Sequence, residues 1–139
     1  MIKIFLRIAI ATGFLSAVAD RFGFWNKEVS AWGNWDNFLE YTKVLNPSVP
    51  IDLIPIVGAT ATIAEIVFAI CLIIGFKTEL FAKLSGYLIL LFALAMTFTY
   101  GIKGTFDYSV FIAAAAAFAL STMKVKVFEF DTVLTKNKL

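Results

Sequence analysis

Four long apolar runs constrain this chain of 139 residues more than anything else in it: about Ile4 to Val18, Ile54 to Phe76, Leu84 to Tyr100 and Tyr108 to Met123. A helix needs about 20 residues to cross ~30 Å of hydrocarbon, with a range of about 17–25. The second and third runs meet that length directly. The first and fourth meet it once flanking residues are recruited, with Arg7 and Lys124 snorkelling to the interface on their aliphatic stems. Strands are disfavoured, because the runs are long, alanine-rich and lack period-2 alternation. The expected fold is all-α, a single domain over 1–139 built as a four-helix transmembrane bundle. Its spans are about 4–22, 54–76, 82–101 and 106–123, with an outer interfacial segment over 23–53 and a cytoplasmic tail over 124–139.

Composition supports lipid as the solvent. Hydrophobic residues make up 60% of the chain and charged residues 16%, and the mean hydropathy is +0.86. A globule this small cannot hide so much apolar surface in its own core. These values exclude a free cytoplasmic enzyme, a disordered tail and a coiled coil. A net charge of +2 without a basic run also excludes a nucleic-acid module. The chain has no histidine, which removes imidazole catalysis, His-ligated haem and most zinc sites, so no metal site is expected. Its single cysteine, Cys71, has no partner for a disulfide or a CxxC pair and reads as a small core residue.

The first run has a basic start (Lys3, Arg7) and an Ala17-Val18-Ala19 pattern that imitates a signal-peptide cleavage site. Cleavage would leave an odd number of spans, so the run is expected to remain as a helix. Orientation follows Lys and Arg. Lys3, Arg7, Lys77, Lys83, Lys124, Lys126, Lys136 and Lys138 flank one side, against Arg21, Lys27, Lys43 and Lys103 on the other. The positive-inside rule then places both termini and a 77–83 turn in the cytoplasm.

Between the first two spans, Asn34 to Leu45 reads as an amphipathic helix N-capped by Asn34. Trp35, Phe38, Leu39, Thr42 and Leu45 share one face, with Asp36, Asn37, Glu40 and Lys43 opposite. Trp25, Trp32, Trp35, Phe38 and Tyr41 form either an aromatic belt anchoring this helix at the interface or a lid over a cavity between the spans.

Glu65 lies about 11 residues into a span of about 22, near mid-membrane. A charge there costs at least ~2.5–3.5 kcal/mol, so it should face the bundle and have a partner. Gly58, Ala61, Thr62 and Ala69 share its face; matching small-residue stripes occur in the first span (Ala9, Gly13, Ser16, Ala17, Asp20) and the third (Gly86, Ala93, Thr97). These stripes are expected to face one another, with the first span covering Glu65 through Gly13 and Ser16. Glu65 is then either a register-fixing carboxyl bonded to Ser16, Thr62 or Thr97, or an acid that handles protons or a ligand. Asp20-Arg21 forms a second cluster, in which Arg21 stays with Asp20 or reaches Asp107. Lys103, Tyr100 and Tyr108 lie at the same depth and could complete an anion or quinone-headgroup site.

Several segments resemble the DoxX family of small bacterial membrane proteins: Arg7 through Phe14-Leu15 to Asp20-Arg21-Phe22-Gly23; Trp32-Gly33-Asn34-Trp35 with Phe38 and Tyr41; and above all Ala64-Glu65-Ile66 followed by Leu72-Ile73-Ile74-Gly75-Phe76-Lys77-Thr78. Asp107-Tyr108-Ser109-Val110-Phe111 is similar to the start of the last helix in Bacteroidetes-type members. The resemblance covers about residues 4–121 and implies a four-helix bundle associated with membrane redox complexes. It carries over no catalytic residue. The resulting expectation is an accessory or scaffold subunit binding quinone or lipid between its helices, with a membrane-protein partner or a second copy of itself. The alternative is a stand-alone transporter or membrane enzyme using Glu65 as proton carrier.

Overall fold

The computed structural model describes residues 1–132; the last part of the expected tail lies outside the described residues. Among the described residues, helices run in this order: α1 Ile2–Arg21, α2 Trp35–Leu45, α3 Ile54–Ile74, α4 Thr78–Tyr100, α5 Ile102–Asp107 and α6 Val110–Ser121. A 3-10 turn, Ile51–Leu53, leads into α3, and no strand occurs among the described residues. Among the described residues, three helical stretches are long and apolar enough to cross a membrane: Ile2–Arg21, Ile51–Ile74 and Thr78–Tyr100.

The expected fourth span departs from a single helix. The chain breaks at Tyr108–Ser109, where Ser109 adopts φ 56°, and α6 contributes 12 residues. That is about 18 Å of helix at ~1.5 Å per residue, against ~30 Å of hydrocarbon. The expected 77–83 turn is also shorter than the sequence suggested. Gly75 closes α3 in the left-handed region at φ 72°, the Phe76 N–H donates to the Cys71 carbonyl at 2.9 Å, and helix resumes at Thr78. A side chain at Gly75 would be strained at that φ and would also meet an Arg7 guanidinium nitrogen and the Glu129 Cα, each at 2.7 Å.

The helices carry many small and polar residues inward, beside a few large side chains such as Phe14, Leu72 and Leu120, and leave many large apolar residues facing outward. On α3, Gly58, Thr62, Glu65, Ala69 and Leu72 are buried, whereas Ile56, Ile63, Val67, Ile70 and Ile74 are exposed. This is the arrangement expected where lipid is the solvent, since helix association there relies on close packing and polar contacts and not on expelling apolar side chains from it.

The α1 and α3 helices pack antiparallel, with Arg7 near the C-terminal end of α3 and Arg21 beside Thr62 and Glu65. The third small-residue stripe has a different neighbour from the one expected. Gly86 of α4 faces the Phe118 ring of α6, 2.8 Å from where a Cβ would stand, and α4 packs most extensively on α6. Gly58 admits α2: a Cβ there would lie 2.8 Å from Leu39 and 3.1 Å from Phe38.

At one end of the bundle the segment after α6 folds back across α1 and α3. Lys3 donates to the carbonyls of Met123 and Val125 at 2.7 and 2.8 Å. Arg7 donates to Leu72 and Ile73 at 2.7 and 2.8 Å and to Val127 and Phe128 at 2.8 and 3.0 Å. The expected snorkelling of Arg7 to the interface is therefore corrected: it is 3% exposed, because the last carbonyls of α3 have no helical partner and a cation there satisfies them. Buried Glu129 faces Lys3 at 2.6 Å and Lys126 at 3.2 Å.

Candidate functional site

Arg21 and Glu65 form an ion pair, each about 2% exposed. Arg21 Nη1 lies 2.5 Å from Glu65 Oε2, Nη2 donates to Oε1 at 3.0 Å, and Nη1 also donates to the Thr62 hydroxyl at 2.7 Å. Thr62 in turn donates to the Gly58 carbonyl at 2.8 Å. Glu65 thus faces the bundle, as expected. Its cover is the Arg21 side chain, whereas Gly13, expected to press against it, has nothing within 4 Å of a notional Cβ.

Helix direction explains the pairing. Side chains on a helix lean toward its N-terminus. Arg21, the last residue of α1, therefore leans back into the span. Glu65, eleven residues into antiparallel α3, leans toward Ile54 and so toward Arg21. Two residues whose backbones sit at different depths meet because both side chains close the gap.

Asp20 and Arg21 separate instead of pairing. The Asp20 carboxylate accepts the Ser30 hydroxyl and the N–H groups of Ala31, Trp32 and Gly33, the backbone bonds at 2.8, 3.2 and 3.3 Å. It thereby fixes the loop that carries the aromatic cover. That cover sits on the guanidinium: Arg21 Cζ is 4.1 Å from the Phe38 ring centroid and 5.3 Å from that of Trp32, close enough for cation–π attraction. Neighbouring residues of α1 thus hold opposite parts of one lid, Asp20 its backbone and Arg21 its rings.

The α2 helix begins as the sequence suggested, with Asn34 Oδ1 accepting the Asn37 N–H at 2.8 Å. Phe38, Thr42 and Leu45 are its buried positions. Tyr41 stacks on Tyr100 of α4 at 6.2 Å; burial, followed by the nearby Tyr100 and Tyr108, pushes its phenol pKa up. Trp25 donates its indole N–H to the Ser16 carbonyl at 3.1 Å, and Trp35 stacks on Phe22 at 5.8 Å. Asp107 does not reach Arg21. It pairs with Lys103 at 2.7 Å on an exposed turn of α5.

Beneath the lid lies a cavity of about 1300 Å³ bordered by α1, α2, α3, α4 and α6. Asp20, Arg21 and Glu65 are its charged lining residues, and Trp25, Trp32, Phe38, Tyr41 and Tyr108 also reach it. Apolar and small side chains, among them Ala9, Gly13, Phe14, Ile89, Phe92 and Ala113, line the rest. The open space beside Gly13 belongs to this cavity and not to a helix contact. Arg21 Nε is buried and has no hydrogen-bond partner among the described residues. Lys103 and Tyr100 do not border the cavity. No group of three or more His, Cys, Asp or Glu suited to a metal ion occurs among the described residues.

Sequence reasoning missed the Arg21–Glu65 pair, the Ser30 contact, the aromatic stack on Arg21 and the buried Lys3–Glu129 pair. The last three have no spacing signal, since each depends on how a loop or tail folds back. The fold and site define a helical membrane-type protein with a polar-ended apolar cavity beneath an aromatic lid. Set against known protein families, curated proteins and solved structures, the chain matches none.

Proposed function

We propose that this chain is a DoxX-like integral protein of the bacterial inner membrane, a four-span bundle with both termini cytoplasmic. In this reading α5 and α6 together supply the fourth crossing, with the break at Ser109 lending the length that α6 lacks. Its role is that of an accessory or scaffold subunit of a redox-linked membrane complex, in which it holds a quinone or lipid between its helices. The observation that carries the reading is the cavity of about 1300 Å³, whose polar groups gather at Arg21 and Glu65 while its remaining walls are mainly apolar. Pockets for amphiphilic molecules have this mixture of apolar walls and a few placed polar groups.

A quinone would be held here by the polar groups at Arg21 and Glu65 and by the small side chains of α1 and α6 that line the cavity. When bound it supplies two-electron, two-proton carrier chemistry. The chain's own contribution is to bind, orient and shield it beneath Trp32 and Phe38. The alternative, proton carriage by Glu65, is weakened by geometry: a carboxylate already facing a guanidinium at 2.5 Å must give up that contact before it moves a proton.

Mild purification from the native membrane tests the proposal. Reproducible recovery of a partner protein together with an apolar small molecule supports it. Isolation of the chain alone, carrying out transport or turnover in vesicles that Glu65→Gln abolishes, refutes it in favour of the transporter or enzyme.

A further inference from the structure

The strap that follows α6, residues 122–132, is fastened by its backbone and turns its large side chains outward. Lys3 and Arg7 hold the carbonyls of Met123, Val125, Val127 and Phe128. The Asp131 carboxylate accepts the Lys77 N–H at 2.9 Å, and Glu129 is buried against Lys3. Val125 and Phe128 are left 74% and 88% exposed, and Phe130 is exposed as well. Phe128 stands at φ 47°, in the left-handed region that a residue with a side chain seldom adopts. That turn brings its carbonyl to Arg7 and the following Glu129 to Lys3, and leaves the ring standing off the bundle. An apolar ring held out by a strained backbone gains nothing from water.

Depth and charge define what surrounds this face. The Arg7 guanidinium that binds Val127 and Phe128 also binds the Leu72 and Ile73 carbonyls. The strap is therefore level with the last turn of α3, where the apolar stretch Ile51–Ile74 ends. In a bundle that crosses a membrane, headgroups lie at that level, and exposed apolar side chains sink into their boundary with the acyl chains. Cations outnumber carboxylates at this end, six to three among the described residues, whereas carboxylates outnumber cations at the lid end. Lys3 and Arg7 are spent within the fold, and Lys124 and Lys126 face Glu79. Lys77 and Lys83 are exposed and enter no ion pair among the described residues; the Lys77 ammonium lies over the Phe76 ring at 5.6 Å. Such cations are attracted by an anionic membrane surface, and no carboxylate of the described chain competes for them.

The geometry points to this end of the bundle as a docking surface for anionic phospholipid. Val125 and Phe128 sink among the headgroups, and Lys77 and Lys83 answer the phosphate charge that zwitterionic lipids compensate for themselves. The inference rests on the bundle crossing a membrane and not on the cavity or its occupant.

The test reconstitutes the full chain in vesicles of phosphatidylcholine, alone or with about 30 mol% phosphatidylglycerol of the same acyl chains. Both leaflets are alike, so the outcome does not depend on which end is cytoplasmic. Native mass spectrometry with equal amounts of the two lipids should show phosphatidylglycerol retained about tenfold over phosphatidylcholine. Replacing both free cations, Lys77→Gln with Lys83→Gln, should bring that ratio within about twofold of unity, while Lys103→Gln at the other end leaves it unchanged. Both positions are exposed, so the fold is kept. A fluorophore on Phe128→Cys, in a Cys71→Ser background, should be quenched by lipid brominated on its acyl chain and not by aqueous acrylamide. Equal retention of the two lipids, a preference that the double lysine variant leaves intact, or quenching by acrylamide overturns the docking surface while the bundle reading stands. Protection from both quenchers overturns it in favour of a protein or a second copy of the chain covering the strap. A chain that fails to float with either vesicle after carbonate extraction overturns the bundle reading and the docking surface with it.

Discussion

Replacing Glu65 by leucine removes one half of a buried ion pair and strands the other half. The guanidinium keeps its charge at any accessible pH, and Arg21 is 2% exposed, so water cannot take the place of the carboxylate. Removing one partner of a buried pair typically costs about 3–5 kcal/mol, and that is the expected loss for Glu65→Leu. Glu65→Gln also strands the cation while keeping one oxygen to accept from Nη2, so its expected loss is smaller, about 2–3 kcal/mol. A carboxyl bonded only to the hydroxyls of Ser16, Thr62 or Thr97 would tolerate Gln with little loss, since the amide keeps most hydrogen bonds. The guanidinium at 2.5 Å changes that expectation. Arg21→Leu removes the same pair together with the Thr62 bond and the contacts over Phe38 and Trp32, and should also cost about 3–5 kcal/mol. The Arg21→Leu, Glu65→Leu double variant leaves no charge stranded and should lie within about 1–2 kcal/mol of the unaltered chain, since apolar replacement of a whole buried pair is often close to neutral. Reversible unfolding in mixed micelles, followed by the fluorescence of Trp32 and its neighbours, measures all four. If the double variant loses as much as the two single variants combined, the residues are not coupled and the argument fails.

Gly75→Ala forces a side chain into the left-handed region and against Arg7 and Glu129. It should cost about 2–3 kcal/mol, read as a lowered thermal midpoint, and speed tryptic cleavage at Lys124 and Lys126. The same strap should respond to acid. Burial opposes the charged form of Glu129, but bonds from Lys3 and Lys126 outweigh it and hold its pKa below the ordinary 4.5. The stability it lends is therefore complete above pH 4.5 and is lost as pH falls through its lower folded value; protease sensitivity at the strap that is unchanged on acidification would contradict this. Single cysteines at Phe38 and Leu39 should resist aqueous thiol reagents while those at Asp36 and Glu40 react, and equal labelling of all four would mean that α2 does not dock. A reporter fused after Leu139 should be active only if it works in cytoplasm; periplasmic activity would invert the topology.

What the sequence disclosed and what it hid follow from one distinction. Helix positions, the Asn34 cap and the inward face of Glu65 are local or periodic properties, written in runs of apolar residues and in steps of three and four. The break at Ser109 was not legible, because Tyr108-Ser109 interrupts no hydropathy run. The loop bonds of Asp20 were hidden for another reason: three of its four donors, at Ala31, Trp32 and Gly33, are backbone N–H groups, which every residue but proline possesses and which therefore leave no signature.

The pairing of Arg21 with Glu65 was hidden by the way depth is counted. Counting backbone positions places Arg21 at the end of its span and Glu65 near the middle of its own, so residues at matching depth, Asp20 and Asp107, appear to be the natural partners. Side chains lean toward helix N-termini, and in an antiparallel pair this moves the two helices' side chains in opposite directions. A cation at the C-terminal end of α1 is thereby carried inward, and an acid partway along α3 is carried outward to meet it. The same lean takes Arg7 toward the N-terminal end of α1, where it satisfies the last carbonyls of α3. Both arginines of α1 are placed by this geometry, one closing the end where the chain returns and the other holding the lid and the polar end of the cavity. The two cations that a hydropathy reading assigns to the interface are consequently the groups that join α1 to α3 at both ends, while the space between them, beside Gly13, stays open.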